Sequence, residues 1–243
     1  MKVSPLLSLI PILAPLSQAA VISSGHVDVI GIGYVDEGSG FELEPHSHAE
    51  AGAIVDGVPL GADTEYEPGE LTILVPTTTQ STRAGGSQWD AMGISAGSPY
   101  WFLPQSGLTA DALGAPFAGI GTEELTLADW PSDIFFNLIA MSGPAGGHFS
   151  MAVVTLGNPL FVMSTANGID FTDTWNQPAG DHRHVSWFFT QPGDYDLTFL
   201  IYGEHITDGL KTATATYSFT VVPEPSTALL AGLGALALFR RRR

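Results

Sequence analysis

The chain has 243 residues and a formal net charge of −17, with 25 acidic against 8 basic side chains. Five of the bases (Lys2, Arg240, Arg241, Arg242 and Arg243) sit at the extreme ends, which leaves 24 acids against Arg83, Arg183 and Lys211 between Ala20 and Val222. A body this anionic excludes nucleic acid as a partner and attracts cations; 44% hydrophobic residues exclude global disorder, and the absence of cysteine excludes disulfides and thiolate chemistry, leaving histidine and carboxylate as the strong metal ligands.

Lys2, an apolar run over 6–16 and the small residues of Ser17-Gln18-Ala19 read as a secretory signal over 1–20, cut by signal peptidase after Ala19 or Ala20. Pro5, Pro11 and Pro15 break that run, which is too short to serve as an anchor helix. Strand-like segments follow at 26–34, 71–75, 134–140, 149–156, 160–164, 185–190, 195–202 and 212–221, bounded by turn residues such as Gly157-Asn158-Pro159 and Asn167-Gly168. They predict an all-β fold, one antiparallel β-sandwich over 21–221. The stretch 122–130 is expected to hold a helical turn or two capped by Thr122. The segment 184–190, turned by Pro192-Gly193 into 195–201, is expected to form a hairpin with its Trp and Phe in the core.

The body ends at Pro223-Glu224-Pro225, followed by an apolar stretch over 228–239 and then Arg240, Arg241, Arg242 and Arg243. As a helix those twelve residues reach about 18 Å against a hydrocarbon core of about 30 Å, which predicts a transient tether with a cytoplasmic arginine stop. This order over 222–243 resembles the PEP-CTERM sorting tail of exported bacterial proteins. The resemblance implies an exosortase-type membrane enzyme that cuts near Pro223, Glu224 and Pro225 and delivers the body to the cell surface or the exterior.

Across 25–221 a second resemblance rests on Gly25-His26-Val27-Asp28-Val29, Leu43-Glu44-Pro45-His46-Ser47-His48, Glu65-Tyr66-Glu67-Pro68, Tyr100-Trp101-Phe102-Leu103-Pro104, Ser142-Gly143-Pro144, and His182-Arg183-His184-Val185-Ser186-Trp187 with Pro192-Gly193-Asp194-Tyr195. Their order is similar to the choice-of-anchor M domain, a family of exported, surface-anchored bacterial proteins. Relatives with other anchors are associated with metal-uptake gene sets, which implies a divalent metal as ligand. His148 in Gly146-Gly147-His148 departs from the pattern.

Two His-x-His pairs, His46 with His48 and His182 with His184, project both imidazoles from one strand face, and His26 and Asp28 share that spacing. Neutral imidazole binds zinc, copper, nickel or iron, so convergence of these six residues would make a thiol-free metal site, with zinc foremost. The plainer reading makes them polar strand faces. Gly93-Ile94-Ser95-Ala96-Gly97 matches a nucleophile-elbow pattern, but Ser98-Pro99 blocks the helix an elbow needs, which favours a loop. Glu42, Glu44, Glu123, Glu124, Asp194 and Asp196 read as solvation. Asn167-Gly168-Ile169-Asp170 with Asp173 admits either calcium or an Asx-type turn.

Thr212, Thr214 and Thr216 read as the solvent side of an edge strand, and Trp89, Tyr100, Trp101 and Trp175 as core rather than sugar platforms. The sequence therefore predicts a non-catalytic exported protein that holds a divalent metal. The alternative is a structural or exopolysaccharide-interacting matrix component without metal.

Overall fold

The computed structural model describes residues 19–36, 38 and 40–223, so positions 1–18 of the predicted signal segment 1–20 and positions 224–243 of the predicted tail 222–243 lie outside the described residues. The chain begins with β1 (Ala20–Asp36), β2 (Phe41–Ala49), β3 (Ile54–Val55), β4 (Val58–Pro59), β5 (Thr64–Tyr66), β6 (Leu71–Val75), β7 (Gln80–Thr82) and β8 (Pro99–Leu103). A short helix, α1 (Gly107–Leu113), precedes β9 (Pro116–Gly121), β10 (Ile134–Ser142), β11 (Phe149–Thr155) and β12 (Asn158–Ser164). Last come β13 (Thr174–Gln177), β14 (His182–His184), β15 (Ser186–Phe189), β16 (Gly193–His205) and β17 (Gly209–Val221).

These strands form two sheets. A five-stranded sheet runs β12-β11-β15-β8-β7, and a larger one runs β13-β10-β16-β17-β6-β1-β2-β5, with β9 on β1, β14 on β9, and β3 and β4 beside β1. The sandwich-like β architecture agrees with the sequence, but the purely antiparallel expectation is corrected. β1 runs parallel to both β6 and β9, and β17 runs parallel to β6, so the large sheet is mixed. Parallel neighbours need a crossover connection, and the excursion through β2 to β5 gives β1 and β6 theirs.

Trp187 and Phe189 of β15 meet Phe219 of β17 at ring distances of 5.5 and 5.2 Å, and this contact joins the two sheets. Phe188 points to the opposite side, into a second buried cluster with Trp89, Met92 and Tyr100. All four residues of β15 are buried, which explains why the predicted hairpin does not form: β15 needs cover on both faces and lies in the small sheet, while the turn around Pro192 carries the chain across to β16. The Tyr195 hydroxyl clamps that turn by donating to the Gln191 carbonyl at 2.9 Å. Trp89, Tyr100 and Trp101 are core residues. The true hairpin is β16–β17; β17 pairs with β16 along its whole length but with β6 only over 218–221, so the threonine row lies where β17 is paired on one side, as an edge is. Thr212 and Thr214 still face solvent, and Thr216 shares a 2.9 Å hydroxyl contact with Thr198.

The expected helix at 122–130 is absent; the segment is a run of turns. Thr122 caps nothing and instead ties together the two chain segments that carry the site. It is fully buried, its N–H donates to the Asp181 carbonyl at 2.9 Å, and its carbonyl accepts from Gly180 at 2.8 Å. Its hydroxyl donates to the Pro178 carbonyl at 2.7 Å and accepts from the Asp181 N–H at 3.1 Å. Replacing Thr122 with Val strands these buried partners, and the Thr122→Val variant is expected to lose about 1–3 kcal/mol of stability in urea unfolding.

Candidate metal centre

The site forms on three neighbouring strands. β9 lies between β1 and β14, with His26 opposite Phe117, Asp28 opposite Gly119, His184 opposite Gly119, and His182 opposite Gly121. The period of two places His26 and Asp28 on one face of β1, and His182 and His184 on one face of β14 with Arg183 turned outward. Strands two apart are separated by about 9–10 Å, too far for direct contact across an ordinary middle strand but within the combined reach of two side chains leaning inward. Gly119 and Gly121 leave the space for them. A Cβ on Gly119 would stand 2.2 Å from Asp28 Oδ1 and 3.0 Å from His182 Nε2. A register shift in β1 between Asp28 and Gly31 adds the local bend that commonly re-aims a side chain beside a site.

The three imidazoles meet at their Nε2 atoms. His26 to His182 is 3.1 Å, His26 to His184 is 3.2 Å, and His182 to His184 is 2.9 Å. A tetrahedral ion bound at 2.0–2.1 Å calls for nitrogens about 3.3 Å apart, so the triangle is within a few tenths of an ångström of a first coordination shell. Asp28 Oδ1 lies 3.1 Å from His182 Nε2 and 4.0 Å from His26 Nε2. Asp28 is only 3% exposed, and this oxygen has no hydrogen-bond partner.

The far side of each ring faces an acceptor. His184 Nδ1 donates to the Ala118 carbonyl at 2.9 Å, which makes Nε2 the lone-pair nitrogen. His182 Nδ1 lies 2.7 Å from Glu123 Oε1, and His26 Nδ1 lies 2.7 Å from Glu50 Oε1. The His26 contact is a close ion pair without hydrogen-bond alignment. Such outer partners orient metal-bound imidazoles and raise their basicity. Phe117 stacks on His184 at 3.5 Å and 7°, which fixes that ring in its plane.

Protonation follows the same geometry. The Asp28 carboxylate, aided by Glu123, raises the pKa of His182 from 6.5 to about 9 against the opposing effect of burial. Burial lowers that of His184 from 6.5 to about 4, and the neighbouring His182 and His26 add to the lowering. Without an ion, the cluster thus keeps a proton on His182 and holds His184 neutral.

Three of the six predicted ligands, His26, His182 and His184, therefore converge on one point, Asp28 stands at the edge of that triangle beside His182, and His46 and His48 do not join them. His46 and His48 project from β2 into a neighbouring cavity that Asp28 also lines. Sequence reasoning passed over Glu50, Gly119 and Phe117 and read Glu123 as solvation. Glu123 and Glu50 lack a local signal in an acidic chain, whereas the alternation Phe117-Ala118-Gly119-Ile120-Gly121 carries one.

Among the other candidates, Ser95 sits in a loop after a 3₁₀ turn over Ser87–Met92 that ends at Gly93, with no preceding strand of the elbow kind. The Asp170–Asp173 loop is an Asx-type turn: Asp170 Oδ1 accepts from the Thr172 N–H, and Asp173 accepts from Ser164 and Asp170 N–H groups. Of the predicted sorting residues, Pro223 is the last described residue. Glu224, Pro225, Arg240, Arg241, Arg242 and Arg243 lie outside the described residues.

Because a Cβ at position 119 intrudes between Asp28 and His182, the Gly119→Ala variant is expected to bind zinc about 100-fold or more weakly while its metal-free form still unfolds cooperatively. Calorimetric zinc titration alongside denaturant unfolding checks this; unchanged affinity in the alanine variant would remove these four residues from consideration as a site.

Comparison with known proteins identifies the PEP-CTERM protein-sorting motif at residues 221–243. No curated protein and no solved structure matches the chain. The choice-of-anchor M resemblance of the body finds no support in these comparisons. No helix among the described residues is long and apolar enough to cross a membrane. The motif marks the chain as exported and sorted to the cell surface by an exosortase, a membrane enzyme.

Proposed function

We propose that the body is a non-catalytic module that holds one divalent transition-metal ion, zinc foremost, outside the cytoplasmic membrane. Its ligands are His26, His182, His184 and Asp28. The observation that carries this reading is the convergence of three Nε2 atoms within 3.2 Å of one another, each on a ring whose Nδ1 faces an acceptor. Three inward lone pairs repel unless a cation or protons lie between them, and three imidazoles with one carboxylate form a donor set suited to zinc.

Catalytic zinc sites keep a position open for water, whereas closed four-ligand sites hold the ion for structure or carriage. The buried Asp28 carboxylate beside His182 is the group placed to swing into the fourth position, and a site closed in this way is that of a binding module rather than an enzyme. The chain's resemblance to choice-of-anchor M proteins agrees with this reading and belongs to the proposal. Signal peptidase acts first and the exosortase second. Exopolysaccharide becomes the partner of interest if the body binds no metal.

Titration of the purified protein with Zn²⁺ is expected to give one strong site that a His182→Ala/His184→Ala variant loses. Absence of heat and of retained metal in the wild type overturns the reading.

The pH dependence has a definite sign. His182 is raised to about 9, so at pH 7.5 the ion must displace its proton, and binding is expected to release about one proton. Calorimetry in buffers of different ionisation enthalpy measures it. Affinity rises by about tenfold per pH unit up to pH 9 and then levels. In the metal-free protein, the His182 contribution to stability is present below pH 6.5 and lost as pH rises through about 9. The depressed His184 removes stability as pH falls from 6.5 to about 4.

A further inference from the structure

The cavity that receives His46 and His48 repeats the construction of the first site. There, Gly119-Ile120-Gly121 in β9 forms a floor without side chains: a Cβ on Gly121 would come within 2.7 Å of Glu123 Oε2 and 3.0 Å of Asp28 Oδ2. In β1 the same tripeptide recurs as Gly31-Ile32-Gly33. A Cβ on Gly31 would stand 2.5 Å from His46 Nε2, and one on Gly33 would stand 2.9 Å from Glu124 Oε2. Both glycine pairs thus allow ligand-type atoms to lie against the backbone of a strand.

His46 is 5% exposed, and its Nδ1 donates to the Glu44 carbonyl at 3.3 Å. That bond turns Nε2 toward Glu124 Oε1, 3.1 Å away. One ligand atom each from His46, Glu65 and Glu124 lies within 4.8 Å of the others. The adjoining cavity is lined by Asp28, His46, His48, Glu123 and Glu124, and has about 10 Å³ of space, the amount one water-sized sphere occupies. Asp28 forms the wall between the two clusters. It is 3% exposed, with Oδ1 3.1 Å from His182 Nε2 on the histidine side and Oδ2 facing Gly121. Asp28 thus pairs with His182 on one side and lines the second cavity on the other.

We infer that the domain has a second cation site, centred on His46, Glu65 and Glu124 and sharing the Asp28 wall with the first. Its donor set differs from that of the tri-histidine site. One imidazole among several carboxylates suits a harder, oxygen-preferring divalent ion of the manganese class, whereas three imidazoles suit zinc. The two sites would then load different metals from the same surroundings.

The test is an electron paramagnetic resonance titration with Mn²⁺ of the purified protein carrying one equivalent of zinc. Support is one Mn²⁺ bound per chain, with affinity reduced by about tenfold or more in a Glu65→Gln/Glu124→Gln variant and retained in His184→Ala. Both glutamates are exposed, so the double variant is expected to fold as the wild type does. The inference is overturned if zinc-loaded protein takes up no Mn²⁺, if the glutamine variant binds it unchanged, or if Mn²⁺ displaces the zinc one for one. Failure of the first site reads separately, as zinc that is not retained, and the Mn²⁺ titration of metal-free protein still reports on the second.

Discussion

A missing Cβ in the middle of a three-strand row is the constraint on which the rest of the site depends. β1 and β14 are not hydrogen-bonded to each other; each pairs with β9. Only because Gly119 leaves the central position of that row empty can Asp28 from one flank and His182 and His184 from the other meet above the backbone. The core face of the same strand shows the opposite chemistry. Ala118 and Ile120 are fully buried and pack the strand in place, so β9 is anchored by one set of alternate residues and hollowed by the other. Glycine in a strand interior weakens it and marks a close approach of other groups, and here the approaching groups are ligands.

The same glycines explain what could and could not be read from the sequence. The eight segments picked out by alternation all coincide with strands, among them β1, β6, β10, β11, β16 and β17, because Val, Ile and aromatic residues fill them. β9 carries the alternation but few of those residues. Its site face reads Phe117, Gly119, Gly121, and low strand propensity hid the element that assembles the centre. The His-x-His spacing was legible as chelating geometry because side-chain period is a local property. Whether four strands or three would supply the ligands depends on register, and nothing local encodes that His184 lies opposite Gly119 while His48 lies opposite Asp28 from the other side. The parallel pairing of β1 with β6 and β9 is equally a property of the chain's path.

The acidity of the body takes on local meaning in this arrangement. Of the many carboxylates, Glu50 and Glu123 face the outer nitrogens of metal-type imidazoles, Glu65 and Glu124 gather about His46, and Asp28 stands between the clusters. Glu50, Glu123 and Glu124 are about half exposed, so each remains hydrated while one oxygen points inward. Charge of this kind concentrates cations near the mouth of a site before any ligand is engaged. The pKa values of His182 and His184 are pushed in opposite directions, the first raised by Asp28 and Glu123 and the second lowered by burial and the neighbouring imidazoles, so positive charge is held at one point of the cluster.

The topology also gives such an ion mechanical work. β14 is three residues long, pairs with β9 and presents Arg183 outward at the sheet edge, and Thr122 ties the segment before it to the end of β9. His26 and His182 are 156 positions apart in the chain, and an ion between them closes that separation as a disulfide would. A chain without cysteine that is exported beyond the reach of cytoplasmic chaperones has no covalent means of doing so. An ion that binds the folded state alone adds about 2.7 kcal/mol at a concentration one hundred times its Kd, comparable with what a native disulfide contributes. On the proposed reading, the ligand therefore serves both as cargo and as the cross-link that joins the first strand of the body to one of its last, and metal supply outside the cell sets how firmly this edge of the sheet is closed.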